Sequence, residues 1–138
     1  MELKQQNYYT AEKGIIGEMD RRKELIAKYK ETKIPMGVYQ IKNNANNKVF
    51  IGSNLNIQAI FNRTKMELNY GTFRIKEIQK DWNEYGEDKF DFDVLEILEP
   101  LDEPGYKPND DLKALEEIWL ERVQPFDEKG YNMRKRVK

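Results

Sequence analysis

The 138-residue sequence contains no cysteine and no histidine. Without cysteine there are no disulfides, no thiol nucleophile and no cysteine-bound zinc. Without histidine there is no Ser-His-Asp triad, and the side chain that most often moves protons near neutral pH is missing. Any catalysis must therefore depend on carboxylates, tyrosine, lysine or arginine, or on a hard cation bound by oxygen atoms.

Long apolar runs are absent as well. No stretch approaches the roughly 18 apolar residues that a membrane helix needs, and the first residues, MELKQQNYYTAEKG, contain no apolar signal core. The 24 Lys+Arg residues nearly balance the 25 Asp+Glu residues, and the formal charge is −1. The sequence therefore predicts one polar globular domain, cytoplasmic and without a membrane segment.

The first 34 residues are rich in lysine and glutamate, with apolar residues only loosely at helical spacing. Their pattern predicts a helix over residues 10–30 that ends before Pro35, because the residue before a proline disfavours helical geometry. We interpret residues 1–34 as a helical extension packed on the main domain.

A β-hairpin is predicted next. Residues 36–42 and 48–52 are two short β-prone runs, and residues 43–47, Asn-Asn-Ala-Asn-Asn, form a turn-like segment between them. The hairpin places Tyr39 in its first strand and Phe50 in its second.

Two helices follow the hairpin. Ile57, Ile60, Phe61, Thr64 and Leu68 recur at helical spacing. Either of the residues at 53 and 54, a serine and an asparagine, is suited to cap the start of this helix, and the glycine at 71 is suited to end it. The second helix is predicted over residues 75–85, with a glycine after it.

The remaining sequence predicts a third strand over residues 90–98, a proline-rich loop over residues 100–108 and a last helix ending before Pro125. Asn109 or Asp110 is the expected cap of that helix. The fold class is therefore α+β, a small three-stranded antiparallel sheet flanked by helices, with an extra N-terminal helix.

Several short motifs share one order and spacing with a known family. They are Gly37-Val38-Tyr39, Phe50-Ile51-Gly52, Asn62-Arg63, Gln79, Trp82-Asn83, Tyr85-Gly86, residues 116–120 and Gly130-Tyr131-Asn132. In this order the chain resembles the GIY-YIG nuclease family from about Gly37 to Asn132. The resemblance implies a GIY-YIG-like domain over residues 35–133, followed by a basic tail over residues 134–138.

The resemblance also implies a chemistry. Family members hydrolyse a nucleic-acid phosphodiester with one divalent cation, Mg²⁺ or Mn²⁺, bound by a single glutamate of the last helix. A tyrosine of the first strand is the proposed general base, and a second tyrosine and an arginine assist. Three matching positions keep the family residue: Tyr39 as the base, Glu116 as the metal ligand and Asn132 near the site.

Other positions depart from the family pattern. Phe50 replaces the second tyrosine, Ile60 stands where the arginine is expected, and Thr64 and Phe73 stand where histidines are common. Arg63 lies three residues after Ile60 on the same helix and is the candidate substitute for the arginine. The candidate catalytic set is therefore Tyr39, Arg63, Glu116 and Asn132.

Each candidate also has a purely structural interpretation. Tyr39 is equally suited to packing, and Ile60 completes the apolar stripe of its helix. Glu116 lies along the edge of an apolar helix face, where it needs a partner such as a cation, Lys113, an arginine or a tyrosine hydroxyl. Arg63 is alternatively a solvated or ion-paired side chain.

Charge is unevenly distributed along the sequence. Residues 84–111 contain 11 acidic residues and only two basic ones, whereas the helix after the hairpin and the C-terminal tail are net basic. Phosphate binding depends on clustered lysine and arginine, so the net charge of −1 argues against strong nucleic-acid binding by the whole molecule. Nucleic acid (DNA) is a partner for the basic part only. The acidic part is either a solvated surface or a site for a basic protein partner.

These observations lead to one expectation and two alternatives. We expect a GIY-YIG nuclease-like protein that is catalytically impaired or inactive, because Phe50, Ile60 and Thr64 depart from the catalytic pattern. The first alternative is an active Mg²⁺- or Mn²⁺-dependent endonuclease that uses Tyr39, Arg63 and Glu116. The second is a protein-interaction module that has no role on nucleic acid and needs no cofactor.

Overall fold

The computed structural model describes residues 34–134 and Lys23. Their strands and helices follow in the predicted order: β1 (Gly37–Asn43), β2 (Val49–Asn54), α1 (Ile57–Tyr70), α2 (Lys76–Tyr85), β3 (Phe90–Ile97) and α3 (Asn109–Val123). The helix predicted over residues 10–30 lies, Lys23 apart, outside the described residues, so the division at residues 34 and 133 stays a prediction. No helix in the described part of the chain is long and apolar enough to cross a membrane.

The sheet has the order β2-β1-β3, and both strand pairs are antiparallel. Across the hairpin, Tyr39 lies opposite Gly52 and Ile41 lies opposite Phe50. A register shift interrupts the pairing of β1 with β3 after Val38. The expected α+β class with a three-stranded antiparallel sheet is therefore confirmed.

Each face of the sheet packs against different helices, because alternate residues of a strand point to opposite faces. Tyr39 and Ile41 join the core formed with α1 and α2. Val38 and Ile51 point the other way and pack against Trp119 of α3. The central strand therefore has helices on both faces.

The start of α1 differs from the prediction, while its end agrees. Neither Ser53 nor Asn54 caps the helix, because β2 continues through both residues. Asn56 is the cap instead, and its side chain accepts a hydrogen bond from the backbone N–H of Ala59 at 2.9 Å. Gly71 ends the helix in the left-handed conformation, with φ 80°, as its lack of a Cβ allows.

The start of α3 also corrects the prediction. Asn109 is already part of the helix, and Pro108 precedes it with helical φ and ψ, so neither Asn109 nor Asp110 is the cap. The first turn contains Asp110 and Asp111, whose negative charges interact favourably with the positive, N-terminal end of the helix dipole. The helix ends at Val123, as the sequence predicted.

Candidate active site

Tyr39 lies in the central strand with its ring packed among aromatic side chains. The ring meets Phe61 edge-on with centroids 5.5 Å apart, and it lies 6.3 Å from the ring of Phe50. A Cβ added to Gly52, directly across the hairpin, would lie 2.7 Å from Cζ and Oη of Tyr39. Glycine at position 52 therefore leaves the space that the phenol occupies.

The Tyr39 hydroxyl is buried and makes no hydrogen bond with any group of residues 34–134. Burial raises the pKa of Tyr39 to about 12, with Arg74 lowering it and Glu116 raising it. Near neutral pH the group is therefore a neutral phenol, which is able to donate a hydrogen bond and is a poor proton acceptor.

Tyr39 faces a small pocket of about 200 Å³. The pocket is lined by Tyr39, Ile60, Arg63, Thr64, Glu67, Thr72, Phe73 and Arg74. Thr64 is only 3% exposed, and its hydroxyl makes no hydrogen bond within the described chain. Two residues whose buried hydroxyls have no partner among residues 34–134 therefore line the same pocket.

The two arginines of this pocket differ in their surroundings. Arg63 Nε donates to Glu67 Oε2 at 3.1 Å, one turn along α1. Arg74 lies in the loop between α1 and α2, is exposed, and makes no hydrogen bond or ion pair with residues 34–134. Of these two arginines, Arg74 is therefore the one without an ionic partner among residues 34–134, whereas Arg63 shares its charge with Glu67.

Glu116 lies in α3 and lines a second pocket, of about 440 Å³. Its Oε1 accepts a hydrogen bond from the Ser53 hydroxyl at 2.5 Å, and no lysine or arginine of residues 34–134 forms an ion pair with it. Asn54, Leu55, Asn109, Leu112 and Lys113 complete this pocket. Glu116 is half-buried, and within the described chain its carboxylate is held by a hydroxyl and not by a cationic side chain.

The described chain is similar to two solved structures of one enzyme domain. A mutant form of the catalytic domain of the intron endonuclease I-TevI is 25% identical, with a TM-score of 0.60 over 75% of this chain and 97% of that domain. The catalytic domain of the homing endonuclease I-TevI is 29% identical, with a TM-score of 0.58 over 72% of this chain and 99% of that domain. I-TevI is a GIY-YIG homing endonuclease. This chain has a GIY-YIG-like fold.

No protein-family model matches the chain, and a comparison with curated proteins gives no significant match.

Glu116 of the GIY-YIG-like domain is chemically suited to a hard divalent cation. Its pocket adds hydroxyl and amide oxygens from Ser53, Asn54 and Asn109, and Mg²⁺ prefers oxygen ligands while keeping several waters. Within the described residues no group of three or more carboxylate, cysteine or histidine side chains is placed to hold a metal. A cation here would therefore depend on one carboxylate with water.

Asn132 lies at the open edge of β2. Its side-chain Oδ1 accepts from the Ile51 backbone N–H at 2.9 Å, and its Nδ2 donates to the Ile51 carbonyl at 2.8 Å. The amide of Asn132 thus bonds to Ile51 as a neighbouring strand would. Of the four predicted site residues, Tyr39 and Arg63 share one pocket, Glu116 lines another, and Asn132 holds the strand beside them.

The positions that depart from the GIY-YIG pattern lie around the Tyr39 pocket. Phe50 and Phe73 are buried in the core with Tyr39, and Ile60 packs half-buried against the same cluster. Thr64 keeps a hydroxyl but not the ring of a histidine. The wall of this pocket therefore combines apolar side chains at Ile60 and Phe73 with polar groups at Tyr39 and Thr64 and charged groups at the rim.

Two residues at the candidate site lie outside the predicted set. Arg74 lines the Tyr39 pocket and directly follows Phe73, one of the altered positions. Ser53 was considered a helix cap, although it directly follows the Phe50-Ile51-Gly52 motif. Their positions after motif residues were the available signals, but the contacts themselves depend on how α1, α3 and the sheet pack.

Proposed function

We propose that this GIY-YIG-like domain binds the phosphodiester backbone of nucleic acid and that its hydrolytic activity is impaired or lost. The observation that carries the proposal is the environment of Tyr39. Its hydroxyl is buried among Phe50 and Phe61, and burial raises its pKa from the ordinary value near 10 to about 12. The phenolate that could accept a proton is therefore scarcer here than in an exposed tyrosine.

Binding is supported by the charges around the pocket. Arg63 and Arg74 line the pocket. Lys65 lies on α1 with its Nζ 4.9 Å from the centre of the Phe92 ring, and Lys76 begins α2. Clustered cations attract phosphates even when the whole chain is close to neutral. Part of the acidic stretch is bonded within the protein, because Glu96 accepts from the Trp119 indole N–H at 2.8 Å. The separation of charge therefore favours a nucleic-acid partner over a basic protein.

Impaired hydrolysis is supported by the side chains that replace family residues beside Tyr39. A phosphoryl transition state gains negative charge, and loss of one preorganised charge partner typically costs on the order of 10² to 10³ in rate. Here Ile60 supplies no charge and Phe50 supplies no hydroxyl. If Mg²⁺ or Mn²⁺ binds at Glu116, it supplies charge neutralisation, but the helix arginine and the second tyrosine hydroxyl of the family pattern are still missing at positions 60 and 50.

A cleavage assay tests the proposal directly. The purified full chain is incubated with plasmid, branched DNA and single-stranded DNA in the presence of Mg²⁺ or Mn²⁺. We expect no metal-dependent nicking. Glu128→Ala, at an exposed residue, is the control. Cleavage that is retained in this control but lost in Glu116→Ala would overturn the proposal that hydrolytic activity is impaired or lost.

Binding is measured separately by gel shift at several salt concentrations. For nucleic acid we expect the affinity to fall steeply as salt rises, because phosphate contacts release counterions. No detectable shift at low salt would contradict nucleic-acid binding, and binding to a basic protein that excludes DNA would favour the interaction-module alternative.

An active endonuclease is a second candidate, favoured by one observation. Glu116 has one carboxylate oxygen, Oε2, that makes no hydrogen bond within the described chain, so it is available to a cation. If only the charge partners are missing, the double variant Ile60→Arg with Phe50→Tyr should gain metal-dependent nicking. A folded double variant without any gain would show that more than these two groups has changed.

A further inference from the structure

The Tyr39 pocket contains two hydroxyl groups that lack the partners buried groups normally have. The side chain of Tyr39 is 6% exposed and that of Thr64 is 3% exposed. Neither hydroxyl bonds to another group of residues 34–134. Burying a hydroxyl without a partner costs stability, so such groups are rare in folded proteins and indicate that something else bonds to them.

The charges at the pocket indicate the class of ligand. Arg74 is exposed at the rim and unpaired within the described chain, while the carboxylate of Glu67 is already bonded to Arg63. A cation would be repelled by the two guanidinium groups. An apolar ligand would leave both hydroxyls without partners. An oxyanion accepts hydrogen bonds from hydroxyls and guanidinium alike.

The pocket has the capacity for such a group. Its volume of about 200 Å³ exceeds by several times the roughly 30 Å³ that a water molecule occupies in the liquid. The Thr72 hydroxyl, also in the lining, donates to the Glu67 carbonyl at 3.4 Å. The volume is therefore sufficient for one phosphate group beside Tyr39, Thr64 and Arg74.

We propose that Arg74 and the hydroxyls of Tyr39 and Thr64 form an oxyanion site that binds one phosphate group. Arg74 thus supplies, from the loop after α1, the positive charge that Ile60 does not supply from the helix. That this phosphate belongs to a nucleic-acid backbone rests on the proposed function, whereas free phosphate shares the same chemistry.

This site assigns Tyr39 a different task from that of a general base. A phenol that keeps its proton donates a hydrogen bond to a phosphate oxygen, and Arg74 and Thr64 donate beside it. The raised pKa of Tyr39 is consistent with this donor role. The pocket then holds a phosphate without activating a water molecule, which agrees with binding in the absence of efficient hydrolysis.

Inorganic phosphate is the first probe. The isotope-labelled full chain is titrated with phosphate at neutral pH while backbone amide signals are recorded by NMR. We expect the largest shifts at residues 64, 72 and 74. Arg74→Ala should weaken binding by about tenfold or more, the typical effect of losing a charge-assisted hydrogen bond. Arg134→Ala, an exposed arginine bonded to Asp127, is the matched control and should bind as the unaltered chain does.

Variants at residue 64 test the hydroxyl. Thr64→Val keeps the shape and removes the oxygen, so phosphate binding should weaken several-fold, whereas Thr64→Ser should restore it. Shifts confined to other surfaces would overturn the site. So would equal binding by the Arg74→Ala variant and the unaltered chain, or a loss seen only in Arg63→Ala.

A single-stranded DNA oligonucleotide is the second probe and separates the two proposals. If the DNA shifts the same amide signals and Arg74→Ala weakens its binding, both the site and the proposed function are supported. If phosphate binds at Arg74 but DNA does not bind at all, the oxyanion site stands and nucleic-acid binding fails. If DNA binds equally well with Arg74→Ala, the oxyanion site is overturned as a nucleic-acid contact.

Discussion

Tyr39 and Tyr131 are equally buried, at 6% and 5% exposed, but their hydroxyls have opposite surroundings. The Tyr131 hydroxyl donates to Asp81 Oδ2 at 2.7 Å and accepts from Asn43 Nδ2 at 3.1 Å. The Tyr39 hydroxyl has no such partner in the described chain. A hydroxyl with both bonds made contributes to the fold, whereas one with none lowers stability and is explained by binding.

The Tyr131 hydroxyl belongs to a network that joins distant parts of the chain. Asp81 lies in α2, and Asn43 ends β1. Asn46, in the hairpin turn, donates to the same Asp81 oxygen at 3.3 Å. The network therefore connects the hairpin and the C-terminal segment to α2.

The largest expected effect is on stability when the bonded hydroxyl is removed. Tyr131→Phe leaves the buried carboxylate of Asp81 with fewer donors, so we expect a loss of about 3 kcal/mol in the free energy of unfolding. Tyr39→Phe removes a hydroxyl that has no partner in the described chain, so it should cost no stability and should raise the free energy of unfolding by up to about 1 kcal/mol. Urea unfolding measures both. Equal losses in the two variants would contradict the distinction.

The next effect concerns alkaline pH. The pKa of Tyr39 is about 12 when folded, against an ordinary value near 10, so the folded state holds its proton more tightly than the unfolded state. The contribution of this proton to the free energy of unfolding is therefore complete below pH 10. About 2 kcal/mol of it is lost as pH rises towards 12. Burial also raises the pKa of Tyr131, which adds in the same direction.

Comparing the unaltered chain with Tyr39→Phe isolates the Tyr39 part. Phenylalanine has no proton to lose, so the variant should lose about 2 kcal/mol less between about pH 9 and pH 12. Unfolding curves at several pH values supply the measurement. Parallel pH profiles for the two proteins would mean that Tyr39 ionises as easily when folded as when unfolded.

A smaller effect, of opposite sign, is expected at the other hydroxyl without a partner. Thr64→Val replaces the buried hydroxyl with a methyl group, which should raise the free energy of unfolding by about 1 kcal/mol. Thr64→Ser keeps the hydroxyl and serves as the comparison. Thermal unfolding at neutral pH is sufficient. A Thr64→Val variant less stable than Thr64→Ser would show that the hydroxyl is bonded in the folded protein.

The smallest effect is expected at the bonded polar pair on the rim of the Tyr39 pocket. Arg63 and Glu67 pair across one turn of α1, with the Arg63 side chain 71% exposed. Exposed pairs of this kind contribute about 0.3 to 0.5 kcal/mol, so Glu67→Gln should lower stability by no more than that. High salt should abolish the difference. A salt-insensitive loss above about 1 kcal/mol would mean that the pair is structural.

The sequence predicted the strands and helices well because each has a clear period. The alternation around Tyr39 and Ile41 indicated a strand, and the spacing of Ile57, Phe61 and Leu68 indicated a helix. It predicted the starts of α1 and α3 less well. Several cap-forming residues stand side by side there, and which one caps depends on how far β2 continues.

The GIY-YIG-like fold was also predictable, whereas the partners of the candidate site residues were not. The order of the motifs placed Tyr39 and Glu116 in a GIY-YIG-like fold. Neither the hydrogen bond from Ser53 to Glu116 nor the charge of Arg74 near Tyr39 follows from spacing along the chain. Both depend on elements that meet only after folding, so sequence periodicity carries no signal for them.

The bonds of Asn132 with Ile51 have a consequence for association between molecules. β2 is an edge strand, and an open edge offers its backbone N–H and carbonyl groups to a strand of another chain. Asn132 occupies those groups at Ile51, and Tyr131 donates its backbone N–H to the Val49 carbonyl at 2.9 Å. The C-terminal segment thus shields β2 from edge-to-edge aggregation, and shortening the chain before residue 131 would expose it.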